Sequence, residues 1–275
     1  MVDIAVSDPD TFSSLVNFAT LADLVGTLSN ANDITLFAPT NDAFAALAKA
    51  APDVVSNLQT EEWQDHLEDL LFYHVLPDVV PSSAVTNGLS ATTLNKEDID
   101  FTVTTGNGGG IFVNDGAEVV AADVDAKNGV IHVIDNVLLP SWVSNSIVDL
   151  AKATSDLSTL VDLVVQAELV DTLSEAGPYT VFAPTNEAFA ELLDDGTPLS
   201  ADQVSSVLTY HVVEGIYTED ALVDGLALTT LQGDKLVFRS QGKNEFVNDE
   251  KIIIPNILAN NGIVHVIGAV LTPEG

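Results

Sequence analysis

The sequence contains no cysteine and very few basic residues. The absence of cysteine excludes disulfide bonds and thiolate metal sites. Only 8 Lys and Arg stand against 41 Asp and Glu, which gives a formal net charge of −33 at pH 7. Without a basic surface, a protein cannot neutralise the phosphates of nucleic acid or an anionic membrane. We therefore expect no nucleic acid partner and no membrane surface as a partner.

Long hydrophobic runs are lacking as well. No stretch approaches the roughly 20 apolar residues that a membrane helix requires. The first residues, Met1-Val2-Asp3-Ile4, have neither the basic segment nor the apolar run of a signal peptide. The sequence thus predicts no direct membrane insertion. With 47% hydrophobic residues over 275 positions, the chain can still bury two domain cores.

Internal duplication is the strongest positive signal. TLFAPTNDAF begins at Thr35 and recurs as TVFAPTNEAF from Thr180. A Tyr-His pair at 73–74 recurs at 210–211, and NGVIHVIDNVLLP from Asn128 recurs as NGIVHVIGAVLTP from Asn261. A period of about 140 residues is the size of a whole domain. We predict one domain over residues 1–143 and a second over residues 144–275.

Helical patterns precede strand patterns within each copy. Apolar residues from Phe12 to Leu28 keep helical spacing, and 34–37 is a short β run closed by Ala38-Pro39. Thr40 has the position and chemistry of a helix N-cap. From Thr92 onward the alternation predicts strands. Helices followed by antiparallel strands indicate an α+β domain.

The recurring blocks resemble the signatures of the fasciclin domain family. The two APTN blocks are similar to the first family signature, the two NG blocks to the second, and the Tyr-His pairs to the central motif. The resemblance implies two tandem fasciclin-like domains, each a β-wedge or sandwich of mostly antiparallel strands with several helices. It also implies an extracellular, secreted or cell-surface protein that adheres to a cell-surface receptor or to a matrix protein or polysaccharide.

The candidate binding residues follow from this resemblance and are Tyr73, His74, Tyr210 and His211. In animal relatives, the Tyr-His region and nearby acidic motifs are linked to integrin binding. The aliphatic neighbours predict a core strand, in which adjacent side chains point to opposite faces. One member of each pair is then buried and the other is free to reach the surface. The alternative to a receptor contact, favoured by the aliphatic flanks, is a structural role.

Two further histidines, His132 and His265, lie inside apolar runs. Each is either a ligand or base, or a buried neutral imidazole bonded to a loop such as the Ala-Pro-Thr-Asn turn. We favour the buried ring, because buried polar groups are normally paired and a lone histidine lacks the partners that catalysis requires.

The remaining polar motifs do not indicate an enzyme, a cofactor or a defined metal site. Thr40-Asn41 and Thr185-Asn186 are interpreted as helix caps rather than nucleophiles. The segment 123–129 resembles a calcium loop but has Lys127 at a ligand position and no closing glutamate, so we predict a turn. The acidic helix around His66 is interpreted as a solvated face. Weak binding of divalent cations to the acidic surface stays open.

Two functions remain at this point. The first is an extracellular or cell-surface adhesion or matrix-binding protein that acts through two fasciclin domains. The alternative is a cell-envelope protein that binds a small molecule or a polysaccharide. The alternative requires a well-formed apolar pocket with converging polar groups.

Overall fold

The computed structural model describes residues 1–106, 109–114, 116–174, 177–193, 200–242 and 244–273. The chain forms two compact units, Met1–Pro140 and Ser141–Gly275. The short 3₁₀ helix Ser141–Ser144 makes contacts within unit 2, where Asn260 Nδ2 donates to Val143 O (3.4 Å). These contacts explain why the second unit begins slightly before residue 144.

In each unit, three helices precede the first strand, further helices follow it, and most strands of a seven-stranded sheet come after them. The helices of unit 1 are α1 (Val2–Ser7), α2 (Pro9–Leu21), α3 (Leu24–Asn30), α4 (Asn41–Ala50), α5 (Pro52–Asn57) and α6 (Gln64–Phe72). Its strands are β1 (Ile34–Pro39), β2 (Val75–Leu76), β3 (Ser90–Thr92), β4 (Asp98–Val103), β5 (Ile111–Val113), β6 (Ala117–Ala126) and β7 (Gly129–Ile134).

Unit 2 repeats this order, with five α-helices among its described residues where unit 1 has six. Its helices are α7 (Ile147–Ala153), α8 (Ser158–Gln166), α9 (Val170–Ser174), α10 (Asn186–Leu193) and α11 (Ala201–Tyr210). Its strands are β8 (Tyr179–Pro184), β9 (Val212–Glu214), β10 (Ala227–Thr229), β11 (Lys235–Gln241), β12 (Asn244–Val247), β13 (Glu250–Ala259) and β14 (Gly262–Ile267).

The two sheets share one topology. Their strand orders are β2-β1-β7-β6-β5-β4-β3 and β10-β11-β12-β13-β14-β8-β9. The pairs β1–β7 and β8–β14 are parallel, and all the other pairs are antiparallel. The predicted α+β class with mostly antiparallel strands is confirmed. The central parallel pair was not predicted, because the hydrophobic pattern identifies strands but not their partners.

The predicted helical stretch from Phe12 to Leu28 is two helices. Asp23 adopts a left-handed conformation (φ 54°) between α2 and α3, which bends the chain by 107°. Both helices bury apolar side chains, including Phe18 and Leu24, against the core of unit 1. No single described helix is long and apolar enough to cross a membrane; only the bent pair meets the length and composition criteria.

The APTN block joins β1 to α4 through two side chains. Thr40 Oγ1 accepts a hydrogen bond from Ala43 N (3.2 Å), which confirms the predicted N-cap. Asn41 reaches further, because its Oδ1 accepts from Ser14 N (2.8 Å) and its Nδ2 donates to Asp10 O (2.9 Å). The side chain of Asn41 therefore fixes the start of α2 against α4.

A glycine is required where β7 begins beside β1. Gly129 has φ 143°, and a Cβ placed on it would clash with the carbonyl oxygen of Ile34. Gly262 has φ 150° and the same close approach to Tyr179 O in unit 2. Only glycine fits this close approach of two backbones, which explains why Asn-Gly opens both NG blocks.

Candidate functional site

The Tyr-His pair lies at the end of a helix in both units. α6 ends at Phe72 and Tyr73 is its C-cap, whereas α11 ends at Tyr210 and His211 is its C-cap. The prediction of a strand with the two side chains on opposite faces was wrong. The exposed fractions are 4% for Tyr73, 1% for His74, 3% for Tyr210 and 2% for His211. Neither member of either pair reaches the surface.

Each tyrosine hydroxyl fastens the helix end to a turn of the sheet. Tyr73 Oη donates to Asp98 O (3.2 Å) and accepts from Asn114 Nδ2 (2.7 Å). The same bonds in unit 2 join Tyr210 Oη to Lys235 O (3.1 Å) and to Asn248 Nδ2 (2.7 Å). Burial is the main reason why the pKa of Tyr73 is raised, so its hydroxyl stays protonated and keeps donating.

Each histidine ring of the pair is fully paired with backbone. His74 Nε2 accepts from Leu138 N (2.9 Å), so the proton must lie on Nδ1, which donates to Leu70 O (2.7 Å). In unit 2, His211 accepts from Leu271 N (2.9 Å) and donates to Val207 O (2.7 Å). Burial lowers the pKa of both rings to about 4. Because the lone pair is already used, these rings are structural and not general bases.

After the Tyr-His pair and a short strand, the chain enters a loop that buried side chains hold. We call it the clamped loop, residues 77–84 in unit 1 and 214–221 in unit 2, where it begins at the last residue of β9. Thr35, fully buried on β1, donates through Oγ1 to Asp78 O (2.7 Å) and accepts from Val80 N (2.8 Å). In unit 2, Thr180 Oγ1 donates to Gly215 O (2.7 Å) and accepts from Tyr217 N (2.9 Å).

The second clamp is the histidine of the NG block. His132 Nδ1 accepts from Asp123 N (3.3 Å), and its Nε2 therefore carries the proton and donates to Val80 O (2.8 Å). His265 repeats the arrangement with Asn256 N (3.2 Å) and Tyr217 O (2.7 Å). The prediction of a buried, paired histidine is confirmed. Its partner is the clamped loop, however, and not the Ala-Pro-Thr-Asn turn.

A β-bulge supplies the third clamp. Asp123 and Asn256 occupy equivalent positions in the long strands β6 and β13, where the register shifts and both residues adopt left-handed φ (57° and 58°). The Asp123 carboxylate accepts from Ser82 N (2.8 Å) and from Ser82 Oγ. Asn256 Oδ1 accepts from Glu219 N (2.9 Å). These bonds to Ser82 lower the pKa of Asp123. Asp123 is therefore part of the loop support, and the segment 123–129 is a strand end and turn.

The clamped loops present acidic and apolar side chains to solvent. In unit 1, Pro77, Asp78 and Val79 are exposed, and Val79 has 46% of its surface accessible. In unit 2, Glu214 is exposed and 215–217 are half-buried. The backbone behind these side chains is fixed by bonds from β1, β6 and β7 or from their equivalents. Each unit thus displays a short surface whose shape is set by the core.

Sequence reasoning missed several buried polar residues that fix the site or the sheet around it. Thr35 and Thr180 are the clamps of β1 and β8. Asn128 and Asn261 are buried, and Asn128 Nδ2 donates to Leu28 O (2.8 Å) while Asn261 Nδ2 donates to Leu173 O (2.8 Å). The signal that could have identified them is a polar residue that recurs at one position of an otherwise apolar block in both copies.

An apolar cavity lies beside each Tyr-His pair. His74 lines one with α1, α2 and α3, and His211 lines the other with α7, α8 and α9. Each has a volume of about 30 Å³, whereas ligand pockets typically measure roughly 300–1,000 Å³. Both ring nitrogens are bonded to backbone and do not face a ligand. These cavities therefore do not favour the small-molecule alternative.

The acidic helix α6 is less solvated than its composition indicated. His66 is fully buried and its ring lies 4.4 Å from the ring of Trp63, so the interpretation of a solvated face was wrong for His66. Burial, together with the charges of Asp65 and Asp69, raises the pKa of Glu68. Within the described ranges, no group of three or more potential ligands is placed to hold a metal ion.

A family model and several known proteins match this chain. The model of the fasciclin domain matches residues 10–140 and 155–273. Transforming growth factor-beta-induced protein ig-h3 from Sus scrofa is 32% identical over 248 residues, covering 87% of this chain and 35% of that protein. Human periostin is 29% identical over 246 residues, covering 87% of this chain and 28% of that protein. The chain thus spans about a third of the length of these relatives.

A solved structure also covers both units. The FAS1 domain pair of the insect cell adhesion molecule Fasciclin I matches 94% of this chain and 97% of its own, with 21% identity and a TM-score of 0.49.

Proposed function

The chain belongs to the fasciclin domain family, and from this premise we propose that it is an extracellular or cell-surface adhesion protein. It binds a cell-surface receptor, a matrix protein or a matrix polysaccharide through the clamped loops of its two units, and it is not an enzyme. The observation that carries this proposal is the duplicated support of the loop by a buried threonine, a buried histidine and a bulge residue.

Pre-organisation is the physical reason why such a loop suits adhesion. Binding by a mobile loop costs conformational entropy, and a loop that is fixed before contact avoids much of this cost. Two weak sites on one chain also raise the effective affinity for a multivalent surface. The exposed Asp78, Val79 and Glu214 are the contact residues of this proposal.

Tyr73, His74, Tyr210 and His211 act in this proposal as positioning residues. Their side chains are buried, so we assign them no direct receptor contact. They hold the helix end from which the clamped loop departs. Their substitution then affects attachment through the geometry of the loop.

Direct attachment tests the proposal. Surfaces are coated with the full chain, and bound cells or matrix polysaccharide are counted against an equally acidic, unrelated protein. We expect attachment above this control and at least a halving by Asp78→Asn with Val79→Ser and Glu214→Gln. The matched control combines Asp53→Asn, Val6→Ser and Glu191→Gln, which change exposed residues far from the clamped loops in sequence. Attachment no greater than that of the acidic protein contradicts an adhesive function.

A further inference from the structure

The outer faces of the two sheets are equivalent in position but opposite in charge. In unit 1, the register pairs Thr92 with Asp98 and Thr102 with Phe112; in unit 2, it pairs Thr229 with Lys235 and Arg239 with Phe246. Phe112 then pairs with Glu118, and Phe246 with Lys251. Residues opposite each other on neighbouring strands share a face. The comparison therefore aligns Asp98, Thr102 and Glu118 with Lys235, Arg239 and Lys251.

We define two surfaces from this alignment. The unit 1 outer face consists of Asp98, Asp100, Thr102, Phe112, Glu118 and Val120. The unit 2 outer face consists of Lys235, Val237, Arg239, Phe246, Lys251 and Ile253. All six charged side chains are exposed. The first face has three carboxylates and no cation, and the second has three of the eight basic residues of the chain and no carboxylate. The concentration of cations is the notable feature, since the rest of the chain is strongly acidic.

Carboxylates border the unit 2 outer face, and one of them pairs with a cation. Arg239 Nη1 lies 2.6 Å from Asp249 Oδ1, but both side chains are about two-thirds exposed (65% and 69%), and an ion pair of this kind contributes little. Asp234 precedes Lys235 at the turn before β11, and Glu250, the first residue of β13, precedes Lys251. These acids border the face, and the six residues that define it include no carboxylate.

Both faces also have an apolar centre. Phe112 and Phe246 occupy the middle strand of each face and are half-buried. Beside them, Val120 is 54% exposed, Ile253 is 51% exposed and Val237 is 45% exposed. An aromatic centre surrounded by charged residues is typical of specific protein interfaces. The two centres match in position because the two folds are the same.

We propose that the unit 2 outer face of one chain binds the unit 1 outer face of a second copy. The three carboxylates of the unit 1 outer face then meet the three cations of the unit 2 outer face around two apolar centres. Each chain has one face of each kind, so the contact is heterologous and can continue from chain to chain. A polyanion is the other conceivable occupant of the basic face, but an approaching polyanion is repelled by the −33 charge of the whole chain. The self-association does not depend on the attachment function.

Ionic strength makes a distinctive test of this contact. At about 0.01 M salt, charges act over roughly 30 Å and the net repulsion between chains dominates. At about 0.15 M the range falls to roughly 8 Å, which leaves only the contacting charges to act. At about 1 M the range is roughly 3 Å and these contacts weaken too. We expect self-association to be strongest at the intermediate salt concentration.

Sedimentation velocity of the full chain over a range of concentrations measures the association. One variant gives unit 2 the charges of unit 1 (Lys235→Asp, Arg239→Thr, Lys251→Glu). A second gives unit 1 the charges of unit 2 (Asp98→Lys, Thr102→Arg, Glu118→Lys). The matched control, Lys49→Glu with Lys127→Glu and Lys152→Gln, changes the net charge as much as the first variant does, at exposed positions outside both faces.

We expect each face variant alone to associate roughly tenfold more weakly or worse, and their equimolar mixture to associate again. The control should behave as the wild type does. Circular dichroism and a melting curve verify that each variant is folded, and the single changes Lys251→Glu and Glu118→Lys replace any triple variant that is not. The proposal is overturned by a wild type that stays monomeric or by a mixture of the two variants that fails to associate. If the monomeric wild type binds a sulfated polysaccharide through its basic face, the polyanion is the occupant instead. The clamped-loop variants should leave association unchanged.

Discussion

The Nε2 atom of His132 lies 2.8 Å from the carbonyl oxygen of Val80, although the two residues are 52 positions apart in the sequence. This bond joins the centre of the sheet to the clamped loop, and its Nδ1 counterpart joins the same ring to the bulge at Asp123. His265 makes both contacts in unit 2. One imidazole per unit therefore joins the clamped loop to the bulge, two segments that the backbone hydrogen bonds of the sheet alone do not connect.

Removing this ring should destabilise the unit that contains it. His132→Ala leaves a backbone carbonyl and an N–H without their partner and opens a cavity, and we expect a loss of about 2 kcal/mol or more. His265→Ala should do the same in unit 2. Trp63 is in unit 1 and Trp142 is in unit 2. Trp142→Phe therefore leaves a tryptophan that reports the denaturant midpoint of unit 1, and Trp63→Phe leaves one that reports unit 2. Unchanged midpoints would exclude a structural role for these rings.

Acid should destabilise the fold before the carboxylates titrate. Burial lowers the pKa of His74, His211 and His265 from 6.5 to about 4. The unfolded chain therefore binds protons below pH 6.5 that the folded chain refuses until about pH 4. The free energy of unfolding is therefore unaffected by these rings above pH 6.5. It falls as the pH is lowered towards 4, by up to roughly 3 kcal/mol for each ring.

Denaturant midpoints at pH 7, 6 and 5 measure this effect. The lower limit avoids the range near pH 4, where protonation of the carboxylates relieves charge repulsion. His74→Gln and His211→Gln should flatten the profile, since glutamine does not titrate. A wild-type midpoint that is constant from pH 7 to pH 5 contradicts the prediction.

The tyrosine hydroxyls should contribute measurably to stability. Tyr73→Phe removes a bridge between Asp98 O and Asn114 Nδ2, and Tyr210→Phe removes its equivalent. We expect each change to cost about 1–2 kcal/mol, because it removes both hydrogen bonds of the hydroxyl of a buried tyrosine. Chemical denaturation measures the loss. Tyr179→Phe at a half-buried ring serves as the control, and an equal loss there argues against the bridge.

The threonine clamp should control the mobility of the loop. Thr35→Val preserves shape but removes the hydroxyl that accepts from Val80 N and donates to Asp78 O. We expect faster hydrogen exchange at Val80 with little change in the ladder of β1, and weaker attachment although every exposed side chain is retained. Exchange followed by mass spectrometry provides the readout. Unaltered exchange at Val80 shows that the remaining clamps suffice.

Sodium chloride should stabilise the fold. The net charge of −33 is opposed by one salt bridge among the residues that the structure describes, Arg239–Asp249. Repulsion within each unit is therefore a destabilising factor that counterions reduce. We expect the melting temperature to rise from low salt to about 1 M NaCl. Sucrose at matched osmolality separates this screening from general exclusion effects. A flat or falling melting temperature rejects repulsion as a main cost.

The sequence predicted local features well where one pattern had one interpretation. Thr40 was identified as a cap and His132 as a buried ring, because capping chemistry and apolar flanks are local signals. The run around Tyr73 was misread, because a short apolar segment fits either a strand or a helix end. The partners of His132 and Thr35 could not be predicted. They lie in a loop whose position depends on the sheet topology.

The central parallel pairing has a consequence for how the chain is made. β1 finds its place only when β7 has emerged, since Phe37 lies opposite His132. β8, whose TVFAP segment nearly repeats the TLFAP of β1, is synthesised after β7 and pairs with β14. On the ribosome, the first strand therefore meets its own partner before the duplicate exists. A chain diluted from denaturant offers both partners at once, and we therefore expect exchange of β1 and β8 between units as a misfolding route of the refolding chain.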